Sequence, residues 1–128
     1  MSNAINYAKN KKWATEISRH NVAGETGREI AKEFRVFQNL NSRCERNSFS
    51  VVLSQSIPDG IKLTNDDFVK LADNFLERMK LKEQQYISFL HSDKDHKHLH
   101  IFVNRIDANG KLTKTILSAK KPSVLLKA

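Results

Sequence analysis

Two stretches of the chain place apolar residues three and four positions apart, the spacing of an amphipathic helix. The first follows a capping box made by Thr26 and Glu29 and predicts a helix over 27–38. The second starts at Thr64 and predicts a helix over 65–81. Its apolar stripe consists of Phe68, Leu71, Ala72, Phe75, Leu76 and Met79. Both stripes are wide enough to cover one face of a sheet.

Three other stretches are strand candidates, and in the first and third of them apolar and polar residues alternate, as they do in half-buried strands. They predict strands over 48–54, 86–90 and 98–106. The connection over 92–97 is short and polar, so the last two strands are expected to form a hairpin. Residues 5–19 have irregularly spaced apolar positions, for which we expect a short helix.

This order of elements indicates an α+β fold, in which helices pack on one face of an antiparallel sheet and the other face is open. His98, His100 and Asn104 would stand on the open face, because alternate residues of a strand point the same way. We expect one domain over 5–110, followed by a basic tail over 111–128.

The charge of the chain favours an anionic partner but does not identify it. There are 22 Lys and Arg against 14 Asp and Glu, a formal net charge of +8, but five of the lysines follow Gly110 in a stretch without acids. Such a tail is as often solvated as it is bound to nucleic acid. No apolar run is long enough for a membrane span, and the single Cys44 excludes an internal disulfide, so we expect a soluble cytoplasmic protein.

Four of the five histidines lie between residues 91 and 100, which predicts a metal site. His98 and His100 share one face of a strand, and either His91 or His96 could complete a set of three ligands. Asp93 could be a ligand, a group that orients an imidazole, or a loop charge. Three histidines leave coordination positions open for metal-assisted chemistry.

Other chemistry is less well marked in the sequence. Asn104 either orients a ligand or faces water at a strand edge. We find no obvious Ser/His/Asp or Cys/His set, which leaves a tyrosine as the candidate for covalent chemistry. Of the two tyrosines, Tyr86 has the spacing of a core residue, and spacing leaves the role of Tyr7 undetermined.

The segment HSDKDHKHLHIFVNR over 91–105 resembles the third motif of the plasmid mobilisation relaxases, the MobA-type branch of the HUH endonucleases. In that pattern His-x-Asp is followed by a His-hydrophobic-His strand and then by Asn-Arg. The resemblance covers about residues 5–110 and is supported by the loop over 21–24 and the start of the second helix. It implies the relaxase palm architecture.

The resemblance also implies a function, namely nicking of single-stranded DNA at an origin of transfer through a 5′-phosphotyrosine link. By position it implies that Tyr7 is the nucleophile and Asp93 a proton acceptor or orienting group. The implied ligands of a divalent ion, most simply Mg²⁺ or Mn²⁺, are His91, His98 and His100. The implied auxiliary residues are His96, Asn104 and Arg105. Accessory relaxosome proteins are expected partners, and no membrane is involved.

We expect the domain to be incomplete at both ends relative to the family. An alternative function is therefore a catalytically inactive, truncated relaxase that acts as a DNA-binding protein. A second alternative is a metallohydrolase that does not act on DNA. Formation of a covalent protein–DNA adduct separates these hypotheses.

Overall fold

The computed structural model describes residues 1–43, 46–54, 63–93 and 96–113, without the side chains of Asp93 and His96. The helices and strands of these residues follow in the order α1 (Ser2–Lys9), β1 (Ala14–His20), α2 (Gly27–Gln38), β2 (Ser48–Ser54), α3 (Asn65–Arg78), β3 (Tyr86–Asp93) and β4 (His96–Asn104). The α+β class expected from the sequence is confirmed.

The four strands form one antiparallel sheet in the order β1-β3-β4-β2. The predicted hairpin of the last two strands is confirmed as β3 and β4, and it lies at the centre of the sheet. Within the hairpin, His91 lies opposite His98 and Phe89 lies opposite His100. The histidine segment therefore lies on the two central strands of the sheet, each of which is hydrogen-bonded to a neighbouring strand on both sides.

Both predicted helices begin where their capping boxes place them. The backbone N–H of Glu29 donates to Thr26 Oγ1 at 3.1 Å, and that of Asp67 donates to Thr64 Oγ1 at 3.2 Å. Helix α3 ends at Arg78 rather than at residue 81, because Lys80 adopts a φ of 58° and turns the backbone away.

The expected helix over 5–19 is only half correct. Helix α1 covers Ser2–Lys9, but Ala14–His20 forms the edge strand β1, which pairs with β3. Local apolar spacing fails here because an edge strand buries few side chains, and its pairing with β3 depends on residues some 70 positions away. The register also shifts between Glu16 and Ser18, which breaks the period of two.

The expectation that one face of the sheet is open is wrong, since helices cover both faces. Helix α3 packs on the face that carries Leu99, Ile101 and Val103. Helices α1 and α2 pack on the opposite face, where Ile5, Phe34 and other apolar side chains meet Ile87, Phe89 and Phe102. His98, His100 and Asn104 therefore lie on the face that α1 and α2 partly cover.

Cys44 and the part of the expected basic tail beyond residue 113 lie outside the described residues. Within the described residues, none of the helices combines the length and apolar character needed to cross a bilayer.

Candidate active site

Three histidines gather on one face of the β3–β4 hairpin. His91 and His98 are direct cross-strand neighbours, and His100 follows two positions later on β4. The ring centroids of His91 and His100 are 4.1 Å apart, so the two imidazoles are in contact. The alternation of β4 and the hairpin register thus bring together the three residues that the family resemblance implied as ligands.

Helix α1 fixes the ring of His91. His91 Nε2 lies 2.7 Å from the backbone carbonyl of Ala8, and because a carbonyl only accepts, Nε2 must carry the hydrogen. In the neutral ring, Nδ1 then keeps its lone pair. A backbone carbonyl that orients a histidine in this way is typical of the surroundings of metal ligands.

Strand β2 holds the second histidine. His98 Nδ1 lies 2.8 Å from the hydroxyl of Ser54, which is its cross-strand neighbour. When Nδ1 donates to this hydroxyl, Nε2 is the atom left with a lone pair. Strand β2 and helix α1 therefore both contribute to the orientation of the histidine cluster.

His100 is kept neutral. Its burial, together with the charges of His91 and His98, lowers its pKa to about 4 from the ordinary 6.5. Burial penalises the imidazolium form, and positive charge on the neighbouring histidines opposes it further. At neutral pH the ring of His100 therefore presents a lone pair, which is the state that can bind a cation.

Three imidazoles are suitable ligands for a divalent ion, but the side chains of the described residues are not arranged as a preformed metal site. Among the described residues, no group of three or more His, Cys, Asp or Glu side chains is placed so that it could hold a metal ion. Asp93 and His96 pair across the end of the hairpin. Their side chains lie outside the described part, so their expected roles remain predictions.

Tyr7 lies on α1 directly before Ala8, the residue whose carbonyl bonds His91. Its side chain is 65% exposed. The Nζ atom of Lys11 stands 4.1 Å from the ring centroid, a cation–π contact. The structure thus places the backbone of Tyr7 beside the histidine cluster and leaves the phenol accessible from solvent.

Tyr86 is placed differently, as its spacing predicted. It is 4% exposed and its ring stacks on that of His20, with centroids 5.4 Å apart. It points into the core that α3 covers, on the opposite face from His91. Of the two tyrosines, only Tyr7 is accessible to a macromolecular substrate.

Asn104 is fully buried and hydrogen-bonded inside the protein. Its Nδ2 donates to the carbonyl of Phe34 at 3.1 Å and to Gln85 Oε1 at 2.8 Å. Its Oδ1 accepts from the backbone N–H of Ile106 at 3.1 Å and from Gln38 Nε2 at 3.3 Å. These bonds tie α2 to the base of the hairpin, so the side chain neither faces water nor reaches toward a ligand.

Arg105 also serves the fold. Its Nη1 donates to the carbonyl of Arg46 at 2.7 Å, and its backbone N–H donates to the carbonyl of Asn47 at 2.8 Å. Both bonds hold the segment that enters β2. The Asn-Arg pair at the end of the motif therefore braces the histidine hairpin from its base.

Comparison with known families identifies the chain. The model of a family described as relaxase, MobA/VirD2-like, nuclease domain matches residues 7–121. The chain belongs to this relaxase family. The match includes Tyr7, all of β1 to β4 and the whole histidine hairpin, and it confirms the MobA-type relaxase suggested by the sequence. Comparisons with curated proteins and with solved structures gave no significant match.

Membership assigns a relaxase nuclease function, the activity of endonucleases that act in mobilisation. Within this relaxase domain, sequence reasoning missed Ser54 and the carbonyl of Ala8. Neither had a local signal, because each meets its histidine through pairing or packing between segments 44 and 83 residues apart.

Proposed function

We propose that this relaxase domain nicks single-stranded DNA at an origin of transfer, with Tyr7 as the nucleophile and a divalent ion at His91, His98 and His100. The observation that carries the proposal is the hydrogen bond between His91 and the carbonyl of Ala8. It ties the helix that bears the accessible tyrosine to the strand that bears the histidines. Nucleophile and cation would then face the same phosphate.

The reaction is an exchange of phosphodiesters. The Tyr7 phenol oxygen forms a bond to phosphorus, and its proton passes to a base. The bond from phosphorus to the 3′-oxygen breaks, and the 3′-hydroxyl leaves after taking up a proton. One phosphodiester replaces another, so the step needs no external energy and the strand can later be rejoined.

The histidines would hold Mg²⁺ or Mn²⁺, which polarises the scissile phosphate and neutralises developing charge. His91 and His98 are already oriented by the carbonyl of Ala8 and by Ser54. His100 is neutral at physiological pH and does not need to lose a proton before binding. We carry Asp93 over from the family pattern as the proton acceptor, and His96 as an auxiliary group.

The alternative is a catalytically inactive relaxase domain that only binds DNA. Two observations favour it: the described residues contain no ready-made metal group, and the Tyr7 ring is turned outward against Lys11. Both proposals expect binding of single-stranded DNA. Only the first expects a covalent product.

The test is a search for a denaturant-resistant adduct. The protein is incubated with a pool of randomised single-stranded oligonucleotides labelled at the 3′ end, because a 5′-phosphotyrosine retains the 3′ part of the strand. We expect an adduct with Mg²⁺ or Mn²⁺ that disappears with a chelator and in Tyr7→Phe. Tyr86→Phe is the matched control and should still form it.

Each contrary result has a separate meaning. Adduct formation by Tyr7→Phe at the wild-type rate would show that the nucleophile is another residue. Adduct formation unaffected by chelator would refute the metal-dependent mechanism. Salt-sensitive DNA binding without any adduct would favour the inactive alternative.

A further inference from the structure

The N-terminal segment combines exposed aromatic rings with positive charge. Residues 1–13 contain Lys9, Lys11 and Lys12 and no acidic residue. Trp13, the only tryptophan in the chain, is 50% exposed, and Tyr7 is 65% exposed. Tryptophan is on average highly buried, so a half-exposed ring within a basic segment needs an explanation beyond packing.

The segment lies beside the histidine hairpin. The carbonyl of Trp13 accepts a hydrogen bond from the backbone N–H of Ser92 at 3.2 Å. The next residue, Ala14, is the cross-strand partner of His91. A ligand that covers the Trp13 ring is therefore next to the strand that carries the first histidine.

The backbone that presents Trp13 is fixed. Helix α1 closes with the N–H of Asn10 donating to the carbonyl of Asn6 at 2.9 Å, and the following turn closes with Ala14 donating to Lys11 at 3.0 Å. A segment whose backbone is already ordered loses less conformational entropy when its exposed ring binds a ligand.

The surrounding charge favours a phosphate-bearing ligand. The Nζ atom of Lys11 is held over the Tyr7 ring, and the pKa of Glu16 is lowered by its hydrogen bond to Arg19 and also by the charge of Lys9. Glu16, the first acid in the chain, is already paired with Arg19 at 2.7 Å. Lys9, Lys11 and Lys12 therefore supply the positive charge on this surface that can attract an anionic partner.

We propose that Trp13 is a stacking platform for an unpaired base of the DNA strand, with Lys9, Lys11 and Lys12 binding the flanking phosphates. This inference rests on the proposed function, since it takes single-stranded DNA as the substrate. An exposed indole offers a flat apolar surface, and every unpaired base has a matching face. Duplex DNA does not expose these faces, so the platform selects single strands and tolerates any sequence.

The single tryptophan makes the test site-specific, because its fluorescence reports Trp13 alone. The probes are an oligothymidylate of about 12 nucleotides, within the site sizes of single-strand binding domains, and an abasic strand of equal length. Chelator is present to prevent cleavage. We expect the oligothymidylate to quench the fluorescence and the abasic strand to leave it unchanged.

Affinity is measured in parallel by anisotropy of a labelled oligothymidylate. Loss of one stacked base in Trp13→Ala should weaken binding by about 5- to 150-fold. Trp13→Phe should retain most of the affinity because it keeps a ring. The control is Val36→Ala, which removes a side chain of similar exposure (61%) from α2 and should not change binding.

Two results would overturn the platform. One is equal quenching by the oligothymidylate and the abasic strand. The other is a wild-type complex with oligothymidylate in which the Trp13 fluorescence does not change, together with normal affinity in Trp13→Ala; this would assign the exposed ring to a contact with another protein. Failure to bind oligothymidylate at all would also overturn it. Failure of the proposed nicking is recognised separately, because a domain that forms no adduct should still show the quenching. Conversely, an adduct that depends on Tyr7 without quenching would leave the nicking function intact and refute only the platform.

Discussion

We expect the substitution Asn104→Ala to act mainly by lowering the free energy of unfolding, rather than by a direct effect on the chemistry of the site. The side chain is 0% exposed and makes four hydrogen bonds, which join α2 and the residues on either side of the hairpin. Alanine removes all four and leaves at least two buried groups, the N–H of Ile106 and Oε1 of Gln85, without these partners.

The cost can be worked from these contacts. A buried polar group left unpaired costs about 1–3 kcal/mol, so the substitution should lower the free energy of unfolding by roughly 3 kcal/mol. This is a large share of the 5–15 kcal/mol that is typical of a domain, and it corresponds to a fall in Tm of roughly 10 °C.

Urea unfolding followed by far-ultraviolet circular dichroism measures the loss directly. Asn39→Ala is the matched control, since it removes the same chemical group from an exposed position at the end of α2 and should cost little. If Asn104→Ala unfolds like the wild type but forms no DNA adduct, the buried network is not its role, and the ligand-orienting role considered from the sequence is right.

Three further changes test other parts of the structure. Gly27→Ala should lower Tm, since its Cβ would lie 2.6 Å from the carbonyl of Ser2 and force α1 away from α2; an unchanged Tm would contradict this packing. Ser54→Ala should weaken Mn²⁺ binding by about 10-fold in calorimetry, because it removes the hydrogen bond between the Ser54 hydroxyl and His98 Nδ1, whereas the control Ser50→Ala should not; equal affinities would refute the role of Ser54. The pKa of Asp67 is lowered by the Thr64 backbone N–H, so its stabilisation is present above the ordinary pKa of 3.8 and is lost as the pH falls through the folded value. Asp67→Asn should therefore be less stable than the wild type at neutral pH and approach it in acid; a difference independent of pH would contradict the capping bond.

The parts of the fold that local signals define could be predicted. Helices α2 and α3 start at the capping boxes found in the sequence, because the cap bonds join residues three positions apart. The hairpin was also predictable, since a short polar connection leaves its strands few other partners. His98 and His100 share a face because strand geometry requires it.

Features of the fold that depend on contacts between distant segments could not be predicted from local patterns. The local pattern predicts a helix where strand β1 forms, because the strand depends on pairing with β3, which lies far along the chain. The sequence indicated that Asn104 either orients a ligand or faces water, because alternation gives the face of a strand but does not say that α2 covers that face. The bond from Ser54 to His98 requires the pairing of β2 with β4, which no local pattern contains.

One signal for the second covered face was present in the sequence. The runs Tyr86–Leu90 and Leu99–Val103 are apolar on both alternating faces, apart from Ser88 and His100. Central strands that are buried on both sides have this pattern. This pattern therefore indicates helices on both faces of the sheet.

The most direct test of the proposed chemistry is to locate the DNA within the covalent adduct. After incubation with Mg²⁺ or Mn²⁺, nuclease trimming and tryptic digestion, mass spectrometry shows which peptide carries the remaining nucleotide. We expect it on the peptide that contains Tyr7, linked through the phenol oxygen. A nucleotide on the peptide that contains Tyr86, or on any other residue, would contradict the proposed mechanism.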